Sequence, residues 1–354
     1  MKNNKKILII GSDGYIGSLL TNFLKKKNFH ITTLDTGYFR DGKLIPLKKS
    51  NIDIDIRRFN LKKIKDFHCV VFLAANQNDP SESINTNKFY KISEDYTIKV
   101  ARACKKYKVK FIFPSSCSVY GYGKKVFNED SKTYPLTHYS KNKIIIEKKL
   151  SKLANQNFSP IALRFSTIFG FSPRIRFDLV INMFCLLAIV NKKIILNSNG
   201  RSWRPHLSVE DACRAIYLCI NKNFNNGKLN IFNVGFNCYN LKIITVARLI
   251  GKITKTKIIY NYLNKSILIA DKNVKNGIDK RSYRVNFSKF LGIFPNFKRK
   301  NIDIHYQIKK LINSLKKLKI NRTIQKNINF YRLQKMDYLI KNKKVNKNLY
   351  WINK

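Results

Sequence analysis

Two kinds of hydrophobic pattern alternate along the first half of the chain. Ile7–Ile10, His30–Leu34, Val70–Ala74, Lys110–Phe113 and Ile161–Phe165 are short, near-continuous runs rich in β-branched and aromatic residues. Such runs have the length and composition of strands that are buried on both faces. Between them lie longer segments whose apolar positions recur at helical spacing. Strands separated by helices pair in parallel through crossovers, and a parallel sheet is covered by helices on both sides. The predicted fold class is therefore α/β.

After about residue 166 the rhythm loosens. Ser208-Val209-Glu210-Asp211 reads as an N-cap and acidic first turn that start a helix through Ile220. Leu229–Val234 reads as a further strand, and helices are expected over Leu241–Ile253 and about Ile302–Leu318. The longest apolar run, Leu179–Val190, is broken by Asn182 and is too short to span a bilayer, so it is expected to be a buried helix. Beyond Lys319 the chain is rich in Lys and Asn with scattered Tyr, Leu and Ile, which predicts a weakly ordered or peripheral helical extension. No internal repeat is visible.

Composition adjusts this picture only a little. With 354 residues and 44% hydrophobic content, the chain can bury a substantial core. A formal charge of +50 raises the question of nucleic acid. The basic residues are spread along the chain with Asn and Ile, not gathered with aromatics into a recognition module, so no nucleic-acid partner is expected. The same charge would draw in a small anionic substrate. Seven cysteines, none in a Cys-x-x-Cys pair, indicate neither a disulfide framework nor a metal site. Lys5-Lys6 leads straight into Ile7–Ile10 without a secretion-signal pattern, and a cytoplasmic location is expected.

The first chemical motif follows the first strand. Gly11, Gly14 and Gly17 stand at G-x-x-G-x-x-G spacing, with Tyr15 and Ile16 between the last two, where a strand passes into an amphipathic helix. In that context the glycines permit a tight turn, close approach to a pyrophosphate and close helix–strand packing, and the phosphates sit on the positive end of the helix. Asp35 ends the second strand, where a carboxylate can accept both ribose hydroxyls of an adenosine and repel a 2′-phosphate. This favours NAD over NADP, a preference that nearby Arg40 softens. Asp55-Ile56 is placed to flank the adenine.

Tyr139 and Lys143 form a Tyr-x-x-x-Lys pair, which a helix presents on one face. A nearby ammonium lowers a phenol's pKa, so the tyrosine can serve as acid or base at neutral pH. Pairs at this spacing recur in so Lys-rich a chain, at Tyr120/Lys124 and Tyr331/Lys335 among others, and spacing alone selects none of them.

Order along the chain does select. A glycine-rich loop near the N-terminus, the row Ser115-Ser116 ending a strand, and Tyr139/Lys143 some twenty residues later together resemble the extended short-chain dehydrogenase/reductases, the NAD-dependent nucleotide-sugar epimerase/dehydratase family. The segments "VVFLAAN" (70 to 76), "PSSCSVYG", "HYSKNKIIIE", "LRFSTIFG", "RSWRPHLSVEDACRAI" and "DKRSYRVNFSKF" carry the likeness to about residue 318. The resemblance implies a Rossmann-type doubly wound sheet over 1–165 with a returning segment at 207–240. It also implies a smaller C-terminal α/β substrate domain from 166–206 and 241–318, followed by the basic extension 319–354. It implies NAD as cofactor, with Ala74 and Ala75 beside it, a nucleotide-diphosphate sugar as substrate, and a homodimer paired through the long helices near 87–107 and 138–154. By the same resemblance Ser116 and Tyr139 act on the sugar hydroxyl and Lys143 holds the nicotinamide ribose. Thr167, Asn182, Arg204 and Arg281 fall at substrate positions, with Thr167 where many relatives carry Asn.

Residues 117 and 118 narrow the reaction. Related 4,6-dehydratases carry Asp and Glu there for elimination, and this chain has Cys117 and Ser118. A cysteine one place from the position used by fucose-type epimerase–reductases is expected to pack, because a one-residue shift at a strand end reverses the side-chain direction. The expected chemistry is reversible oxidation at a sugar carbon, most simply C4: a 4-epimerase, or alternatively a 4-dehydrogenase or ketoreductase.

Overall fold

A computed structural model describes residues 5–46, 50–75, 86–261, 281–298 and 303–352. Asn76 of "VVFLAAN", Asp279 and Lys280 of the last matching segment, and Ile302 lie outside the described residues. In chain order, the first half folds as β1 (Lys6–Ile10), α1 (Tyr15–Lys25), β2 (His30–Leu34), β3 (Cys69–Phe72), α2 (Thr86–Lys106), β4 (Lys110–Ser116), β5 (Tyr122–Phe127), α3 (His138–Leu153) and β6 (Ile161–Phe165). The second half adds β7 (Thr167–Phe169), α4 (Val180–Val190), β8 (Lys193–Leu196), β9 (Trp203–Ser208), α5 (Val209–Asn221), β10 (Asn230–Val234), β11 (Asn240–Lys242) and α6 (Ile243–Thr254). It ends with β12 (Lys257–Tyr260), β13 (Ser282–Val285), α7 (Ser288–Ile293), α8 (Ile304–Lys317), α9 (Arg322–Lys326) and α10 (Arg332–Lys341).

Six strands form one parallel sheet in the order β10-β6-β4-β3-β1-β2. The period of two in β1 sorts its side chains between two cores: Ile7 and Ile9 pack with α1 and α5, Leu8 and Ile10 with α2 and α3. This is why the run is apolar without interruption. Chain order reverses at β1, which has β2 on one side and β3 on the other, and the C-terminal edge there is where such sheets receive ligands. Beside β2, among the described residues, an isolated parallel bridge from Leu34 to Ile52 marks the place of a further strand.

A separate core gathers Phe169, Ile175, Phe177, α4, α6 and α8. Around it lie a three-stranded sheet, β11-β9-β7, and the pair β12-β8, with the pair β13-β5 close by. The predicted buried helix over 179–190 is α4, and no helix among the described residues is long and apolar enough to cross a membrane.

The C-terminal extension is helical over α9 and α10, one of the two expected forms, and it does not lie loose: it folds back onto the loop after β2. Met336, Leu339, Val345 and Leu349 bury themselves against Tyr38 and Phe39, and Phe330 packs on Phe177 with ring centroids 5.4 Å apart. Enough apolar residues are present to make a small core, but they are spaced widely among Lys and Asn, and the composition hides them.

Candidate active site

The turn after β1 is shaped by its glycines. Gly11 has φ +89°, and a Cβ there would fall 2.5 Å from the Ala74 nitrogen, so only glycine lets this turn touch the loop after β3. A Cβ on Gly17 would lie 2.3 Å from the Gly11 carbonyl oxygen, which fixes α1 close to its strand. The resulting cleft is lined by Gly11, Gly14, Asp35, Asp55, Ile56, Ala74 and Ala75, all expected at the cofactor.

Asp35 is held by main-chain donors: Asp13 N at 2.9 Å and Gly37 N at 2.7 Å. Burial and the neighbouring Asp13 carboxylate push its pKa up to about 6. Arg40 is occupied elsewhere, gripping Asp53 with two bonds of 2.7 and 2.8 Å and Asp13 with a third at 2.8 Å. A 2′-phosphate would therefore meet the Asp35 carboxylate, which fits NAD. Asp55 is likewise paired, with Arg57.

Tyr15 and Ile16 do not line this cleft. The Tyr15 side chain enters the second core, where its hydroxyl donates to the Gly170 carbonyl at 2.6 Å. What Tyr15 can offer a phosphate is its main-chain N–H in the first turn of α1.

Ser116 sits at the end of β4, and its hydroxyl accepts from Ser118 N at 3.1 Å, leaving its own proton to donate. Tyr139 and Lys143 lie on α3, whose start is fixed by a capping box between Thr137 and Ser140. Lys143 Nζ donates to the Pro114 carbonyl at 2.7 Å, tying the helix to the strand two residues before Ser116. The same ammonium stands 5.4 Å from the Tyr139 ring centroid and 4.5 Å from that of Phe113. Burial lowers its pKa to about 7, with Glu147 opposing the shift.

A buried network stands behind the serine row. Glu147 accepts from Ser115 Oγ at 2.5 Å and from Arg164 at 3.0 and 2.7 Å, and Arg164 also donates to the Tyr120 hydroxyl at 2.9 Å. Cys117 is buried, its thiol donating to the Arg164 carbonyl at 3.0 Å, and desolvation pushes its pKa far up. It packs, as its place in the row leads one to expect. Ser118 is buried as well.

The four positions implied for the substrate separate. Arg204 and Arg281 come together, Arg204 donating to the Arg281 carbonyl while its guanidinium stands 5.4 Å from the Tyr283 ring. Thr167 lies half-buried on β7, opposite His206 of β9. Asn182, expected at the diphosphate, lies at the start of α4 behind the turn after β7. Its side chain is wholly buried, with Oδ1 accepting from Gly170 N at 2.9 Å and Nδ2 donating to the Tyr15 hydroxyl at 3.1 Å and the Arg176 carbonyl at 2.9 Å. Its hydrogen-bonding capacity is used in holding the turn after β7.

Tyr38, Phe39, Arg57, Ile92, Tyr96 and Arg332 also line the cleft and went unnoticed in the sequence. The first three follow Asp35 and Asp55 closely enough to have been suspected. Arg332 carried no signal at all.

A parallel doubly wound sheet with a glycine turn and a buried aspartate lining a cleft at its ligand-receiving edge defines an α/β protein of the Rossmann type. The sequence profile of the NAD dependent epimerase/dehydratase family matches residues 7–235, and the chain belongs to that family of NAD-dependent enzymes. It is 28% identical over 369 residues to the bifunctional polymyxin resistance protein ArnA of Wigglesworthia glossinidia brevipalpis, covering 93% of this chain and 52% of that protein. It is 26% identical to the dTDP-D-glucose 4,6-dehydratase of Dictyostelium discoideum, over 65% of this chain and 58% of the other. The chain thus spans little more than half the length of these two relatives. The fold is shared with the UDP-N-acetylglucosamine 4-epimerase of Methanobrevibacter ruminantium M1, at 22% identity, TM-score 0.72, and coverage of 90% of this chain and 99% of that one.

Proposed function

We propose that the protein is a nucleotide-sugar epimerase that oxidises a sugar hydroxyl, most simply at C4, and reverses the oxidation from the other face. The reading rests chiefly on what surrounds Ser116. Tyr139 and Lys143 flank one side of the site, and the next two residues of the row are a buried thiol and a buried hydroxyl where elimination would need acids. Glu147, the carboxylate bonded to this row, is already held by Arg164 and Ser115. Proton transfer at one hydroxyl is supported and water elimination is not.

When bound, NAD supplies a reversible hydride acceptor. The Ser116 hydroxyl donates a hydrogen bond to the reacting sugar oxygen and orients it. The Tyr139 phenolate oxygen takes that oxygen's proton and later returns it. Lys143, anchored to the Pro114 carbonyl, favours the ionised form of the phenol when it carries its proton, which burial holds near neutral pH. The long segments of α2 and α3 are assigned to pairing two copies, which light scattering tests. Residues 1–165 and 207–240 are assigned to the cofactor, 166–206 and 241–318 to the nucleotide sugar, with Arg204 and Arg281 at its diphosphate.

The test is incubation with a panel of UDP-, dTDP-, GDP- and CDP-sugars while both NADH absorbance and product epimers are followed. Epimer without net NADH is expected. Net NADH with a keto sugar would favour the 4-dehydrogenase. In Tyr139→Phe, turnover is expected to fall by about 10²- to 10⁴-fold with NAD still bound; undiminished turnover would remove Tyr139 from its role.

A further inference from the structure

The C-terminal extension reaches the cofactor cleft through one side chain. Arg332, the first residue of α10, lines the same cleft as Gly11, Gly14 and Asp35, and its Nη2 lies 3.9 Å from where a Cβ on Gly14 would stand. Its guanidinium is therefore held over the glycine turn, at the positive end of α1. Positive charge already collects there. Arg174 and Arg176 are close enough to depress the pKa of Arg332, which burial and these two cations lower to about 9, and Arg332 in turn opposes the charge on Lys143.

Asp178 is bonded twice by Arg176, at 3.0 and 2.7 Å. Arg174 is wholly buried, and its Nε and Nη1 have no hydrogen-bond partner among the described residues. A helix N-terminus with the Arg332 guanidinium over it in the cleft, and Arg174 and Arg176 near enough to act on that guanidinium from behind, suits a multiply charged anion.

The placement of Arg332 is built, not incidental. The Asn329 carbonyl abuts Gly42, where a Cβ would come within 2.2 Å, and accepts from Arg174 Nη2 at 3.2 Å. Lys335 pairs with Asp41 at 2.8 Å. Farther along, Trp351 Nε1 donates to the Thr36 carbonyl at 2.8 Å, and Arg57 donates to the Asn348 and Leu349 carbonyls while lying 3.5 Å over the Tyr350 ring. Thr36, Tyr38, Phe39 and Arg57 are themselves walls of the cleft, so the extension is fastened along its adenosine end.

We propose that residues 322–352 form a strap over the cofactor and that Arg332 binds a diphosphate at the glycine turn, the pyrophosphate of NAD. This rests on the reading of the cleft as the NAD site. The nucleotide sugar also carries a diphosphate, and the test separates the two sources.

Titration calorimetry is carried out on full-length wild type, Arg332→Ala, Arg332→Gln and Arg332→Lys with ADP-ribose, adenosine and UDP, with thermal melting as a check of folding. The alanine and glutamine variants are expected to bind ADP-ribose about 10- to 100-fold more weakly, with adenosine and UDP unchanged and the lysine variant recovering part of the loss. Equal losses for adenosine and ADP-ribose would reduce Arg332 to a structural residue. ADP-ribose affinity within about twofold of wild type in Arg332→Gln would also overturn the proposal, as would a loss confined to UDP. Wild-type protein that binds no ADP-ribose would sink the NAD assignment of the cleft together with the strap.

Discussion

A single carboxylate illustrates how the fold tunes its chemistry. Asp35 is aimed by two main-chain donors and titrates near 6 instead of its ordinary 3.8, because it is desolvated beside Asp13. Between those values the folded protein holds a proton that the unfolded chain lacks, so this residue's contribution to stability falls as pH rises through the window and is constant above it. Cofactor binding runs the other way. On the proposed reading, ribose hydroxyls would donate to the ionised carboxylate, so NAD affinity is expected to rise with pH through about 6 and to level off above it. Fluorescence titration between pH 5 and 8 checks this, and in Asp35→Asn the pH dependence should vanish. A wild-type affinity flat across that range would show that Asp35 does not receive the ribose.

At the scale of elements, the site depends on how α3 is fastened to β4 and β6. Glu147 takes three hydrogen bonds from Ser115 and Arg164, and Lys143 takes the Pro114 carbonyl one helical turn earlier. Both partners of the Glu147–Arg164 pair are buried, and removing one leaves the other charge uncompensated in a poor solvent. Glu147→Gln is expected to cost about 3 kcal/mol in urea unfolding and to lower turnover by displacing Lys143. An unfolding free energy within about 0.5 kcal/mol of wild type would mean that the pair is solvated. The sequence displayed these elements well because the inner strands of the main sheet, such as β1 and β3, are covered on both faces and read as near-continuous apolar runs. The small sheets were invisible for opposite reasons. β7 and β11 have three residues each, and β9 contains Pro205 among polar neighbours. Of the site, the residues set by local geometry were legible: the glycine turn, Asp35, and the Tyr139/Lys143 pair once the serine row fixed its order. Arg332 was not, since only the return of the chain across the cleft brings it to Gly14.

Over the whole molecule, 70 Lys and Arg face 20 Asp and Glu, and this imbalance acts on stability and on encounter in opposite senses. Like charges spread over a folded surface repel, so the compact state carries a cost that salt relieves. The same field attracts anions such as NAD and a nucleotide sugar and loses reach as salt shortens the Debye length to about 8 Å at physiological strength. The buried pairs that hold the site, Glu147–Arg164 and Arg176–Asp178, are shielded from this screening. Raising NaCl from about 0.05 to 0.5 M is therefore expected to increase the melting temperature of the free protein by several degrees while slowing association of ADP-ribose by about tenfold. Stopped-flow and thermal melting on the same samples separate the two effects. A melting temperature that falls with salt would place the dominant electrostatics in exposed ion pairs such as Lys310–Glu210. An association rate indifferent to salt would mean that the charge on Arg174, Arg176 and Arg332 is already neutralised before the cofactor arrives.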